Sequence, residues 1–335
     1  MLTNAQTTEA KMLVSELPIA RFPRVSVVIP LYNKAKSFGA TLSSVLAQTM
    51  TDFEVVVVDD GSTDGSGDIV RGFSDARIRL VEQANAGESG ARNRGIAEAR
   101  SDLIALIDAD DLWFPHFLKT VLALHDRFPD AGAYATAFVG IQNGTVIRFP
   151  YVGVSHLFEG ELIKDYFRSC TLGANIVWSS SVMIPRRVFD RVGGFPVGVR
   201  NGADLHMWAR IALEYPIAWS TAESAMWNLD AENRIAGRII MSDAPFAKVL
   251  EDAVAQGRVA NEQAKWVKAY LARFRIHYAT VSIEHQDRKQ ARRLLWLGRK
   301  ARGRHRDWWI ATFRAWAPRR LLQLRRTFQT RIPHR

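Results

Sequence analysis

EVVVVDDGSTDGS, residues 54–66, decides the fold. Four valines in succession, with no polar alternation, make a strand buried on both faces, because β-branched side chains suit a pleated surface and neither side is left for water. The run stops at two aspartates and a glycine-rich loop, so the strand delivers carboxylates to a turn. VSVVI at 25–29 is a second such strand and closes at Pro30. Between the two, Phe38, Leu42, Val45 and Leu46 recur at i, i+4, i+7 and i+8, and the spacing predicts a helix over 38–48. A short helix to about residue 73, a strand at 77–81, a turn at 85–87, a helix over 88–99 and a strand at 103–107 extend the alternation. Apolar strands alternating with helices predict an α/β fold, a mostly parallel sheet with helices on both faces. Open sheets of this kind bind ligands outside the carboxyl ends of their strands.

After Pro115 the pattern predicts a helix to about 128. From Ala131 it is less regular, with strands expected near 145–149 and 176–184, a helix over 205–214, an apolar segment at 217–219 and only helices beyond 242. A chain of 335 residues, 47% hydrophobic, buries a large core without staples. Its single cysteine, Cys170, forms no internal disulfide and reads as packing. The first twenty residues have neither a basic start nor an unbroken apolar stretch, so they do not read as a secretory signal, and no segment holds about 18 consecutive apolar residues. The expected location is the cytoplasm, peripheral on the inner face of the cell membrane.

The net charge of +11 is unevenly placed. Residues 287–335 hold 16 Arg or Lys against Asp287 and Asp307, whereas the first 286 residues hold 29 basic and 32 acidic residues. A pI near 10.0 suggests a nucleic-acid binder, but a near-neutral body with a basic tail and no nucleic-acid motif weakens that reading, and no nucleic-acid partner is expected. Trp309, Phe313 and Trp316 fall at i, i+4 and i+7, and Leu321, Leu324 and Phe328 at i, i+3 and i+7. Arg, Trp and Leu in such stripes suit an in-plane helix on an anionic membrane surface, and the alternative is that the stripes pack on the body.

ALIDADDLWFP at 105–115 places Asp108, Asp110 and Asp111 after an apolar run, and Asp59 and Asp60 end another strand of the same sheet. These can be solvated loop residues or helix caps. They can also form a site for a hard divalent cation, which prefers oxygen ligands and leaves positions to water and phosphate. Up to four carboxylates on one rim are costly unless cations or hydrogen-bond donors neutralise them.

VSVVIPLYNK at 25–34, TLSSVLAQTMTDFEVVVVDDGSTDGS at 41–66, NAGESGARNRGIAEA at 85–99 and LIALIDADDLW at 103–113 together resemble the nucleotide-sugar-dependent family 2 glycosyltransferases of the GT-A fold. The resemblance implies a Rossmann-like sheet, here with a helical, basic C-terminal extension. It implies that Pro30 and Tyr32 hold the nucleotide base, that Asp60 accepts from its ring N–H, and that Arg92 lies beside the nucleotide. It further implies that Asp108 lies near the ribose or donor sugar and that Asp110 contacts a bound Mn²⁺ or Mg²⁺. The implied donor is a nucleoside-diphosphate-sugar, usually uridine-linked, and the implied acceptor is a glycan or lipid-linked hydroxyl in surface polysaccharide or glycolipid assembly.

VGGF at 192–195 and NGADLHMW at 201–208 resemble the acceptor-side motif of the same family, in which Asp204 matches the general base of an inverting transfer. The Glu that usually precedes it is Ala203 here. By its position Asp204 is either an N-cap or a base, and the helix dipole is expected to favour its ionised form. His206 is a candidate acceptor contact. The expected organisation is an N-terminal extension (1–22), a nucleotide-sugar-binding half (23–115), an acceptor-binding half (116–240) and a helical C-terminal region with a basic amphipathic tail (241–335). Ala203 keeps open a GT-A-fold binding protein without catalysis.

Overall fold

The computed structural model of the chain describes residues 22–154, 158–231, 242–299 and 306–317. Its strands are β1 (Val25–Leu31), β2 (Phe53–Asp59), β3 (Ile78–Glu82), β4 (Leu103–Leu106), β5 (Leu112–Trp113), β6 (Ala133–Gln142), β7 (Thr145–Arg148), β8 (Glu161–Ile163), β9 (Val182–Pro185) and β10 (Ile217–Asn228). Its helices are α1 (Phe38–Leu46), α2 (Ser66–Arg71), α3 (Gly87–Glu98), α4 (Phe117–Arg127), α5 (Tyr166–Leu172), α6 (Arg186–Val192), α7 (Ala203–Glu214), α8 (Ala247–Ala255), α9 (Asn261–Glu284), α10 (Arg288–Leu297) and α11 (Arg306–Trp316).

One sheet runs β3-β2-β1-β4-β9-β6-β10-β5, with β7 on β6 and β8 on β10. Its first four strands are parallel, and β9 joins them antiparallel to β4. Beyond β9 the sheet is mixed, with β6 and β10 parallel to each other. The valine run behaves as its composition requires: Val55 and Val57 enter the core under α1 and α4, and Val56 and Val58 enter the opposite core with α3 and α7. All four are fully buried, each worth roughly 1.5–3 kcal/mol of apolar transfer. The parallel strands end on one rim, where the β1–α1, β2–α2 and β4–β5 loops meet.

The second half departs from the pattern in the sequence. β6, AYATAFVGIQ, is a ten-residue central strand in a region expected to be irregular. Alanine has low strand propensity, so β6 is extended by its pairing with β9 and β10 and not by its composition. The strand expected over 176–184 is confined to Val182–Pro185, because Ser179–Ser181 form a 3₁₀ turn before it. The apolar segment at 217–219 is the start of twelve-residue β10. Beyond residue 242 the regular elements among the described residues are helices, as expected. Cys170 is fully buried, as its packing role requires.

The tail divides by face. Leu294 and Leu295 of α10 and Trp308, Ala311 and Ala315 of α11 join the core, while Trp309, Phe313 and Trp316 of the expected stripe stay exposed. The second stripe, Leu321, Leu324 and Phe328, and the extension over 1–21 lie outside the described residues. Among the described residues no helix is long and apolar enough to cross a membrane.

Candidate functional site

The rim is built by short polar residues that fasten one loop to the next. Asn33, with φ +51°, donates its backbone N–H to Ser62 Oγ at 3.1 Å and accepts from the Thr63 N–H at 2.8 Å. The Lys34 N–H reaches Ser66 Oγ at 2.9 Å. These bonds hold the loop carrying Pro30 and Tyr32 against the DDGSTDGS loop, and Tyr32 is left 49% exposed, a free aromatic face on the rim.

Asp60 is 2% exposed. It accepts from the backbone N–H groups of Ala86 and Gly87 at 2.8 and 2.9 Å and from Gln83 Nε2 at 2.7 Å. It therefore satisfies the start of α3, not of α2, whose N-cap is Gly65 at φ +87°. The sequence offered a cap for the following helix, and the structure moves that service one helix on.

The three aspartates of DADD have separate environments. Asp110 Oδ2 accepts from Lys34 Nζ at 2.6 Å, and Asp108 Oδ1 accepts from Arg92 Nη2 at 2.6 Å. Asp111 is 1% exposed and accepts from Ser180 Oγ (2.5 Å), Trp178 Nε1 (3.1 Å) and the Asn228 N–H (3.0 Å). It clamps the 3₁₀ turn and the end of β10 to the rim, and burial with two neighbouring aspartates pushes its pKa up to about 8. It is not the cap of α4, whose N-cap is His116. Burial also raises the Asp110 pKa, against the opposing effect of Lys34.

Arg92 is the hub. It is 2% exposed, pairs with Asp108 and with half-exposed Glu88 of its own helix, and lies with its guanidinium 5.2 Å from the Phe195 ring centroid. Burial would weaken its charge, but Glu88, Asp108 and Asp204 together hold it protonated. Next to it Asn93 makes paired bonds with Phe195, accepting from the backbone N–H at 2.7 Å and donating to the carbonyl at 2.8 Å. Asn93 thereby ties the GARN helix to the GGF turn. A Cβ on Gly194 would fall 2.5 Å from Asn93 Oδ1, which explains the glycine there. Arg210 of α7 binds the Val192 and Gly194 carbonyls of the same turn. Sequence reasoning missed Asn93 and Arg210; the amide three residues past Gly90 in GARN was the available signal.

The turn brings α7 to the cluster. Its N-cap is Gly202 at φ +77°, and Asp204 is the second residue inside the helix, so the cap reading fails. Tyr278 of α9 packs on that cap, its hydroxyl 3.3 Å from where a Gly202 Cβ would stand. The expected stabilisation of ionised Asp204 by the helix dipole is outweighed: burial raises its pKa, opposed by Arg92 and the Leu205 N–H. Asp204, Arg92, Glu88, Asp108 and Asp110 thus share one electrostatic cluster. His206 follows two residues after Asp204; burial and then Arg210 lower its pKa to about 4, and its buried Nδ1 has no hydrogen-bond partner among the described residues.

Chemically the rim offers an aromatic face, a buried guanidinium and a carboxylate poised to take a proton. No group of three or more metal-ligating side chains is assembled among the described residues. The donor set still fits a hard divalent ion, because Asp110 already carries a cation, the Lys34 ammonium, at hydrogen-bond distance. Such ions take one or two carboxylates and complete their shell with water and phosphate oxygens.

Comparison with known proteins points to the family that the motifs resemble. The chain is similar to the validoxylamine A glucosyltransferase of Streptomyces hygroscopicus, 44% identical over 242 residues that cover 62% of this chain and 56% of that protein. It spans 32% and 30% of the length of two other curated relatives, uncharacterized glycosyltransferases of Nostoc sp. and Escherichia coli. Its fold is similar to that of S. aureus TarS 1–349, solved with UDP-GlcNAc (TM-score 0.59, 19% identity, 82% of this chain and 83% of that one). It is also similar to the mannosyltransferase PcManGT of Pyrobaculum calidifontis, solved with GDP-Man and Mn²⁺ (TM-score 0.56, 21% identity, 90% and 83%). The model of glycosyl transferase family 2 matches residues 26–193, half of the chain, from β1 through the DADD loop to the GGF turn, and the chain belongs to that family.

Proposed function

We propose that the chain is an inverting glycosyltransferase that moves a sugar from a nucleoside-diphosphate-sugar, uridine-linked, to a hydroxyl of a glycan or lipid-linked acceptor. The setting we propose is surface-polysaccharide or glycolipid assembly on the inner face of an anionic membrane. In this reading residues 23–115 bind the donor, 116–240 the acceptor, and 241–335 form the helical region with the membrane-facing tail.

The observation that carries the reading is Asp204, a partly buried carboxylate at the second residue of α7, of raised pKa and in the same cluster as Arg92, Asp108 and Asp110. Tyr32 stacks on the base, with Pro30 shaping the edge of that site. Asp60 accepts from the base's ring N–H while its other bonds hold the start of α3. Asp108, fixed by Arg92, binds a hydroxyl of the ribose or donor sugar. Asp204 takes the proton of the acceptor hydroxyl as the acceptor oxygen forms its bond to the anomeric carbon and the bond to the diphosphate breaks, and a carboxylate with a raised pKa is the better base. One such displacement inverts the anomeric configuration. His206, held neutral, contacts the acceptor. Asp110 is the residue that would hold Mn²⁺ or Mg²⁺, and a bound ion supplies neutralisation of the diphosphate leaving group.

The test is a screen of UDP-, GDP- and dTDP-sugars for release of nucleoside diphosphate, with and without Mn²⁺. Mn²⁺-dependent turnover of one donor is expected. Donor binding by calorimetry with no turnover of any donor, with or without an acceptor glycan extract, would make this a binding protein instead.

A further inference from the structure

α10 and α11 each have a face that is folded into the protein and a face that is not. On α11, Trp308, Ala311 and Ala315 lie at i, i+3 and i+7 and are at most 9% exposed. On the opposite side Trp309, Phe313 and Trp316 lie at i, i+4 and i+7 and are 57%, 60% and 51% exposed, with Ile310 at 42% beside them. On α10, Ala291, Leu294 and Leu295 are buried, while Trp296 is 59% exposed and Arg292 and Arg293 share its outward side. The buried face already secures the helices, through core packing, Trp308 Nε1 donating to the Leu295 carbonyl at 3.1 Å and Arg292 Nε donating to the Ala315 carbonyl at 3.1 Å. The outer rings are therefore not needed to hold the helices in place. Large aromatic side chains exposed in a cluster mark an interaction surface.

The charge beside these rings says what kind. Arg299 stands 3.8 Å from the Trp296 ring centroid and Arg292 5.3 Å from that of Trp316, so guanidinium groups are fixed next to the exposed rings. Arg293 and Arg306 are exposed on the same two helices, and Asp307 is the acidic residue within them. Indole and phenyl rings flanked by arginines match the boundary of an anionic bilayer, where rings enter between headgroups and guanidinium groups meet phosphate. Ile310 separates this from a single-stranded nucleic-acid platform, since an aliphatic side chain offers a base nothing to stack on while it gains from the acyl boundary.

We propose that the outward faces of α10 and α11 are a preformed docking surface for the headgroup layer of an anionic bilayer, with Trp296, Trp309, Phe313 and Trp316 inserted and Arg292, Arg293 and Arg299 on the lipid phosphates. The docking specifies the membrane setting proposed above and does not depend on the transfer chemistry. These two helices pack on α9, whose Tyr278 sits on the cap of the Asp204 helix, so docking holds the acceptor side of the site at a fixed relation to the bilayer.

The experiment is sedimentation of the full chain with vesicles of phosphatidylcholine and phosphatidylglycerol at 3:1, and with phosphatidylcholine alone, at low and high salt. Binding is expected to the anionic vesicles and to fall with salt. The W309S/F313S variant is expected to lose at least about tenfold in partitioning. The R293E/R299E variant, which leaves the Arg292 bond to the Ala315 carbonyl in place, is expected to lose at least about twenty-fivefold, about fivefold for each arginine. The replaced side chains point outward, so unchanged circular dichroism and donor hydrolysis verify the fold, and Asp204→Asn is expected to bind vesicles like the wild type. Equal vesicle binding by the wild type and W309S/F313S overturns the proposal. So does a concentration-dependent dimer in lipid-free solution that W309S/F313S abolishes, which would make the face a self-association surface. Tighter binding to a 30-mer DNA than to anionic vesicles at the same salt, unchanged in W309S/F313S, also overturns it.

Discussion

Arg92→Gln removes the cation that Glu88, Asp108 and Asp204 share. Arg92 is 2% exposed and its partner Asp108 21%, so Asp108 is left with limited access to water, whereas half-exposed Glu88 is compensated by solvent. Breaking a buried ion pair from one side costs about 3–5 kcal/mol. At roughly 2–4 °C per kcal/mol for a domain of this size class, melting should fall by about 6–20 °C. The effect on the base is separable. Arg92 is the largest influence opposing the burial that raises the Asp204 pKa, so losing it raises that pKa further. A base works deprotonated, so the rising limb of kcat/KM against pH should move to higher pH. Linkage gives the matching sign for stability: with a folded pKa raised above the unfolded value, the protonated form is favoured in the fold, so stability is lost as pH rises through the folded pKa. The Arg92→Gln penalty should accordingly shrink in acid. The assay is a pH series of donor turnover beside thermal melts at the same pH values. A large drop in melting temperature with an unmoved rising limb would refute the electrostatic link between Arg92 and Asp204.

Three further outcomes follow from the same geometry. Asp110→Ala, or excess EDTA on the wild type, should abolish turnover while leaving the melt near that of the metal-free wild type, and full activity in EDTA would remove the metal. Asn93→Ala should cost about 1–3 kcal/mol by unpairing the Phe195 backbone, and N93A/G194A should cost less than the sum of its parts, because Gly194→Ala clashes with the very oxygen that Asn93→Ala deletes; strict additivity in melts would deny the contact. His206 has its pKa lowered to about 4, so His206→Asn should leave the pH profile between about 5 and 9 unmoved, and loss of a limb near 6.5 would show that it titrates there.

The parallel half of the sheet was legible because Val55–Val58 and the β1 valines leave no ambiguity of period, and their strand ends point to the ligand rim. β6 was not, because Ala133, Ala135 and Ala137 carry no strand signal and are extended by their place between β9 and β10. The carboxylates of the rim could be picked out as residues, but their roles as neighbours could not. Asp60 serves α3 and Asp111 clamps Trp178 and Ser180, contacts that span 26 and 67–69 positions in sequence. Asp204 shows the difference most plainly: the helix dipole is a local effect visible in sequence, while the burial that outweighs it comes from packing by distant elements. In the tail the stripe of Trp309, Phe313 and Trp316 was legible, but that it faces outward while Trp308, Ala311 and Ala315 face inward depended on the packing of α11 against α9 and α10.

With Asp204 as the base of the transfer, Asp204→Asn should separate nucleotide binding from chemistry. Asn preserves size and, lying inside the first turn and not at the cap, leaves the start of α7 intact. With the donor found by the screen, nucleotide affinity is expected within about twofold of the wild type and turnover lower by about 10²–10⁴-fold. Near-wild-type turnover with unchanged nucleotide affinity would contradict it.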